Sequence, residues 1–234
     1  MITLLTYPQA FGLFSSSPFC VKAAYLLRMS GIDWQREDMV DPRKMPFGKL
    51  PAIRTETGQI IADSDAIRAY LEQAGACFEK GLSDLDRANG RAFIRMAEEH
   101  LYFHIVLDRW EDNAIWPEIR ETYFSTIPKP LRGLIAGRLR QQVLSGLKTQ
   151  GIGRLTKHDR LARIEPDLEA ITTRLWQGPF LFGAQPTAAD TSVAPMLAAI
   201  LATPGKTPLQ DLVRENDVLT AYVARVDATL SGSS

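Results

Sequence analysis

Hydrophobic positions in the first part of the chain follow two periods in turn. Ile2, Leu4 and Leu5 form a short apolar run that predicts a strand. Cys20, Ala23, Ala24 and Leu27 recur at steps of three and four, one face of a helix, with Ser17 as its N-cap, Pro18 as its first residue and Gly31 as its stop. Ala52 to Thr55 and Gln59 to Ala62 read as two short strands joined by a turn at Glu56-Thr57-Gly58. Asp63 and Ser64 open the next helix, with Ile67, Tyr70, Leu71 and Ala74 facing inward and Gly75 ending it.

Beyond Asp86 only the helical period persists. Phe93, Met96, Ala97 and His100 begin a long helix toward Trp110, and Leu131, Leu134, Ile135 and Leu139 mark another, opened near Pro130. Leu161, Ile164, Leu168, Ile171 and Leu175 follow, then Val193, Met196, Leu197, Ile200 and Leu201, then Leu219, Tyr222, Val223, Val226 and Leu230. The pattern divides the chain into an α/β domain over 1–76, a linker at 77–86 and an all-helical domain over 87–234, with Ser231 to Ser234 as a frayed tail.

Charge adds two points to this picture. The 27 basic and 27 acidic residues cancel, which argues against a general nucleic-acid binder. They are unevenly spread: Lys129, Arg132, Arg138, Arg140, Lys148, Arg154, Lys157, Arg160 and Arg163 face the single acid Asp159 in one segment, while Glu98 to Glu121 is rich in carboxylates. Solvated faces or mutual pairing of the two segments is the expectation, ahead of an anionic ligand. No apolar run is long enough to span a bilayer and the start lacks a signal peptide, so a cytoplasmic protein is expected. Two cysteines, Cys20 and Cys77, do not make a disulfide framework.

Candidate chemistry gathers at the helix starts. A helix N-terminus favours an anion, and a thiol bound beside Ser17 would have its thiolate stabilised there, each pKa unit amounting to roughly 1.4 kcal/mol. Gly48-Lys49-Leu50-Pro51 leads into a strand, and the proline at its mouth is expected to be cis, leaving the Leu50 backbone free to pair with an extended peptide. At the second helix start, the N-terminus suits a carboxylate and Asp63 an amine, and a γ-glutamyl group carries both. His100 and His104 stand one turn apart beside Glu98 and Glu99, but Leu101 occupies the place where a metalloprotease motif needs Glu. No metal is expected; the pair reads as a helix face lining the cleft. Cys20 holds the second position of a C-x-x-C whose first is Ser17, which disfavours reductase chemistry.

These motifs, Ser17 to Leu27, Gly48 to Ile53 and Ile61 to Leu71, with Pro186-Thr187-Ala188-Ala189-Asp190 as a capping box, resemble the glutathione S-transferase superfamily. Ser17-Pro18-Phe19-Cys20-Val21-Lys22, Leu27-Arg28-Met29, Ile61-Ala62-Asp63-Ser64 and Gly151-Ile152-Gly153-Arg154 resemble its metaxin and failed-axon-connections-like branch. The resemblance implies a thioredoxin-like β-α-β-α-β-β-α domain followed by an all-α domain. It also implies glutathione as co-substrate, a small hydrophobic electrophile as acceptor in a detoxification-type transfer, and a two-fold homodimer. Ser17 is then the thiolate stabiliser, with Tyr7 in reserve because a tyrosine ending the first strand has that task in several classes of the superfamily. Ser15 and Ser16 enter if the loop register slips. Leu50 and Pro51 would hold the cysteinyl backbone, Asp63 and Ser64 the γ-glutamyl end and Lys49 the glycyl carboxylate. Phe11, Phe14, Tyr102 and Trp110, with Trp116, would line the acceptor pocket. The alternative is a metaxin-like binding or protein-interaction module without turnover; the lack of a C-terminal hydrophobic anchor counts against a membrane receptor.

Overall fold

A computed structural model describes residues 1–232, so Ser233 and Ser234 of the expected frayed tail lie outside the described residues. Four strands, β1 (Ile2–Thr6), β2 (Trp34–Asp38), β3 (Ala52–Arg54) and β4 (Ile60–Ala62), form one sheet in the order β2-β1-β3-β4. β1 runs parallel to β2 and antiparallel to β3, with Leu4 opposite Ile53 and Leu5 opposite Ala52. All five residues of β1 are buried, as befits a central strand covered on both faces. Helix α1 (Pro18–Ser30) starts at Ser17 and stops at Gly31, whose φ of 69° lets its N–H reach the Arg28 carbonyl. Helix α2 (Ser64–Gln73) follows β4 directly. In place of the second helix of a β-α-β-α-β-β-α unit stands one 3-10 turn, Pro42–Lys44.

The remaining helices are α3 (Asp84–Met96), α4 (Tyr102–Glu111), α5 (Trp116–Tyr123), α6 (Lys129–Gln150), α7 (Lys157–Leu175), α8 (Ala188–Leu201), α9 (Pro208–Arg214) and α10 (Asp217–Leu230). The thioredoxin-like sheet with its helices, followed by a helical part, is the fold expected from the motifs. α3 and α4 are joined by a π-helical turn, Ala97–Leu101, so the long helix expected toward Trp110 is one rod with a widened middle. α8 is buried almost all round, and α1 packs against it within a core that both parts of the molecule share. Thr187 and Asp190 form the expected capping box at its start. Gly153 cannot take a side chain, because a Cβ there would stand 2.9 Å from backbone atoms of Leu147 and Lys148.

In α6 the structure turns the expected apolar face outward. Leu131, Leu134, Ile135 and Leu139 are 53, 57, 42 and 39% exposed, whereas Ala136 and Leu147 on the other side are buried. Small Ala136 lets the helix sit down on Ile115, Trp116, Ile119 and Phe124, and Leu147 packs with Leu107 and Ile152. The basic segment pairs with the acidic one: Arg132 with Glu121, Arg160 with Glu111, and Lys157 with Asp112 at 3.0 Å.

One buried ionic cluster ties the sheet-bearing part to the helical part. Lys22 of α1, 1% exposed, donates to Glu98 at 2.5 Å and to Asp65 of α2 at 2.8 Å. Ser192 of α8 donates to Glu98 at 2.9 Å and Arg95 pairs with its other oxygen at 3.3 Å. Burial opposes the charge on Asp65, but Lys22 and Arg95 outweigh it and pull the carboxyl down to about 2.

His100 and His104 meet on the π turn and α4, their Nε2 atoms 3.4 Å apart, with His100 Nδ1 2.6 Å from Asp167. No group of three or more His, Cys, Asp or Glu among the described residues is placed to hold a metal. Burial, then the neighbouring His100 and Arg160, push His104 down to about 4. The unfolded chain, with histidine near 6.5, therefore takes up a proton that the fold resists. Its stabilising contribution is complete above the unfolded pKa and is lost as the pH falls from about 6.5 to 4. Urea unfolding at pH 7 and pH 5 should show a loss of about 1–2 kcal/mol in the wild type. A His104→Leu variant with the same loss would show that the pH dependence arises elsewhere.

Candidate functional site

The end of β1, the start of α1, the loop before β3 and the start of α2 converge. Leu5, Cys20, Leu50, Ala52 and Ala62 form a small buried cluster, with Tyr7, Met39, Met45 and Ile60 packed on it. Ser17 caps α1 with its backbone: its carbonyl accepts from Cys20 and Val21 at 3.1 and 3.2 Å, while its side chain makes no capping hydrogen bond. The half-buried hydroxyl thus caps nothing; it stands at a helix N-terminus, where partial positive charge gathers, with the Cys20 thiol as its neighbour.

The expanded loop before Ser17 is held by specific bonds. Ser15 donates to the Tyr7 carbonyl at 2.9 Å and accepts from the Ser17 N–H at 3.3 Å. Ser16 N–H donates to the Pro8 carbonyl at 3.1 Å. From β2, Arg36 donates to the Phe14 carbonyl at 2.7 Å and lies 4.2 Å above the Phe14 ring. Cys20 is fully buried among the hydroxyls of Thr6, Ser15 and Ser17, and burial pushes its thiol up, so it remains protonated and inert.

Leu50 and Pro51 are joined by a cis peptide, as their sequence context leads one to expect, and the β3 ladder begins only at Ala52. The Pro51 carbonyl accepts from Asp63 N–H at 3.2 Å, which sets the α2 start beside it. Asp63 has φ 85° and ψ 137°, a rare conformation for a residue with a side chain, and its carboxylate caps α2 by accepting from Asp65 N–H at 2.8 Å. Ser64 is buried at the first position of α2, and Lys49 is exposed on the rim.

The aromatic side chains separate into three groups. Phe11 joins Trp110, Trp116, Tyr123 and Phe124, with its ring 6.0 Å from Tyr123, and Tyr102 stands 4.8 Å from Phe19. Phe14, expected in the same wall, instead packs edge-on against Trp34 beneath Arg36, because Arg36 pins its backbone toward β2. Burial raises the phenol of Tyr7 and pushes that of Tyr102 up to about 12, so both keep their protons near neutral pH and can donate a hydrogen bond.

Two residues in this region have no local sequence signal. Arg109 of α4 is 3% exposed, yet every bond it makes is to a neutral group: Thr203 Oγ1 at 3.2 Å, the Ala199 carbonyl at 2.7 Å, the Ser16 carbonyl at 3.2 Å and Tyr123 Oη at 2.8 Å. Tyr123 closes the far side from α5. An arginine between Asp108 and Trp110 reads as an ordinary helix-surface charge; only its partners, distant in sequence, show otherwise.

Residues 18–115 match the family described as the glutathione S-transferase N-terminal domain, and residues 164–226 match the glutathione S-transferase C-terminal domain. The chain is 31% identical over 238 residues to the isoprene-epoxide–glutathione S-transferase of Rhodococcus sp., covering 97% of this chain and 98% of that protein. It is 27% identical over 184 residues to human metaxin-2, covering 78% and 70%. A solved glutathione S-transferase structure from Rhodospirillum rubrum shares the fold, with a TM-score of 0.61, 18% identity, and coverage of 97% of this chain and 88% of that one.

Proposed function

Since the chain belongs to the glutathione S-transferase superfamily, in the branch it shares with the metaxins, we propose that it is a cytoplasmic enzyme transferring glutathione to a small apolar epoxide. The observation that carries this reading is the Ser17 hydroxyl, free of any capping bond at the start of α1, on the same helix whose Cys20 packs with Leu50. Ser17 donates to the glutathione sulfur, and the helix terminus adds to the stabilisation of the thiolate. Leu50 and Pro51 hold the cysteinyl backbone, Asp63 and Ser64 the γ-glutamyl end, and Lys49 the glycyl carboxylate. Phe11, Tyr102, Trp110 and Trp116 present an apolar surface to the acceptor. Once the thiolate exists, the chemistry is a direct attack on carbon, and holding the two reactants together supplies much of the rate. The epoxide class rests on the similarity to the Rhodococcus enzyme, which acts on isoprene epoxide by its name.

Among the described residues no helix is long and apolar enough to cross a membrane. A two-fold homodimer belongs to the same proposal, and the exposed leucine stripe of α6 supports association, since a lone chain leaves it in water. Titration calorimetry with glutathione tests the reading on the wild type, Ser17→Ala and Ser64→Ala. The expected result is one glutathione per chain of a dimer seen by sedimentation, with proton release that Ser17→Ala abolishes and affinity that Ser64→Ala weakens. A wild type that binds no glutathione would sink it. The metaxin similarity favours a second reading, a module that binds without turnover; binding and proton release with no product from any electrophile would decide for it.

A further inference from the structure

We propose that Tyr123 gives a proton to the oxygen released as the acceptor ring opens, and that Arg109 is the positioning residue that aims its hydroxyl. This inference rests on the transferase reading above. Buried arginines are ordinarily paired with carboxylates, because an uncompensated charge is costly to remove from water. Arg109 has no carboxylate partner among the described residues; its guanidinium is held by two carbonyls, a threonine hydroxyl and the Tyr123 phenol, and lies 5.5 Å from the Phe11 ring centre.

Three consequences follow for Tyr123. The bond from Arg109 at 2.8 Å occupies a lone pair on the phenol oxygen, so the hydroxyl hydrogen must point elsewhere, and no acceptor among the described residues takes it. The same Nη1 atom donates to the Ser16 carbonyl at 3.2 Å, which brings the phenol within two hydrogen-bond lengths of the residue next to Ser17. The cation, itself 3% exposed, touches the atom that becomes negative when the proton leaves, an arrangement that stabilises developing charge. Phe11 and Trp110, with ring centres 6.0 and 6.2 Å from that of Tyr123, keep the surroundings apolar.

The reaction balances without a further reagent. The thiolate sulfur attacks one epoxide carbon, forming the carbon–sulfur bond and breaking the carbon–oxygen bond, whose electron pair passes to oxygen. That oxygen takes the Tyr123 proton, and Tyr123 regains one from solvent, equal to the proton that glutathione released on ionising. The product is a hydroxy thioether.

The test compares two acceptors in the full-length wild type, Tyr123→Phe, Arg109→Met and the double variant. Styrene oxide needs a proton at oxygen; chlorodinitrobenzene expels chloride and needs none. Tyr123→Phe is expected to lose about 10²-fold in kcat with styrene oxide and at most a few-fold with chlorodinitrobenzene. Arg109→Met should lower the same epoxide-to-halide ratio, and the double variant should fall no further than Tyr123→Phe, since the two act through one hydroxyl. Equal losses with both acceptors, or none with either, would overturn the proposal and leave glutathione transfer standing. A wild type that turns over neither acceptor would remove the transferase reading and this inference with it.

Discussion

Replacing Ser17 with alanine is expected to lower kcat/KM for glutathione conjugation by about 10²–10³-fold, the usual cost of deleting one preorganised donor to a reacting anion. The loss should be almost wholly functional. The serine side chain makes no capping hydrogen bond, so the roughly 1 kcal/mol that a capping serine ordinarily contributes is not at stake. The pH profile carries the signature: with the donor gone, the activity limb that follows thiolate formation should move upward toward about 8.5, the value of an unassisted thiol. Tyr7→Phe is the companion variant. Tyr7 is buried enough to stay protonated, so it too could act only by donation. Full activity in Ser17→Ala together with loss in Tyr7→Phe would transfer the assignment to Tyr7.

The largest effect on stability is expected from Asp190→Ala, about 3–5 kcal/mol, a loss comparable with breaking a buried charge pair. Asp190 is fully buried, and its carboxylate accepts from Thr187 N–H at 2.7 Å, Thr187 Oγ1 at 2.8 Å, Leu181 N–H at 2.9 Å and Tyr222 Oη at 2.9 Å. Those donors lie on the loop before α8, on the cap itself and on α10, so alanine would strand several buried polar groups at once. Against a total of about 5–15 kcal/mol for a domain, such a loss leaves little fold in reserve. Thr187→Ala removes only one of the four acceptor bonds directly and should cost about 1–2 kcal/mol. Urea midpoints at unchanged m-value measure both. A small shift for Asp190→Ala would mean that water or a rearranged loop satisfies the donors.

The caps, the turn and the helix starts could all be read from short windows. Ser17-Pro18 with Gly31, Leu50-Pro51, Asp63-Ser64 and Thr187 with Asp190 each state their local geometry within a few residues. β2 could not be read in this way. Its sequence, Trp34-Gln35-Arg36-Glu37-Asp38, has no apolar alternation, because an edge strand beside β1 is held by backbone pairing and can leave its side chains in solvent. In α6 the periodicity correctly indicated a helix but the wrong buried side, since a stripe of leucines and the small Ala136 are both helical-face signals and only the neighbouring cluster chooses between them.

By itself, therefore, the sequence determined which segments are helix or strand wherever a cap or an apolar period marks them, the α/β-then-α order, and the Ser17, Pro51, Asp63 and Ser64 candidates. Each of those rests on groups only a turn or two away along the chain. Only the tertiary structure decided that Arg109 is buried without a carboxylate, that Lys22 bridges Asp65 and Glu98, and that Phe11 rather than Phe14 joins the aromatic wall. These outcomes depend on desolvation and on distant partners such as Arg109 and Ser16, 93 positions apart, which meet only when α4 packs against the loop before α1.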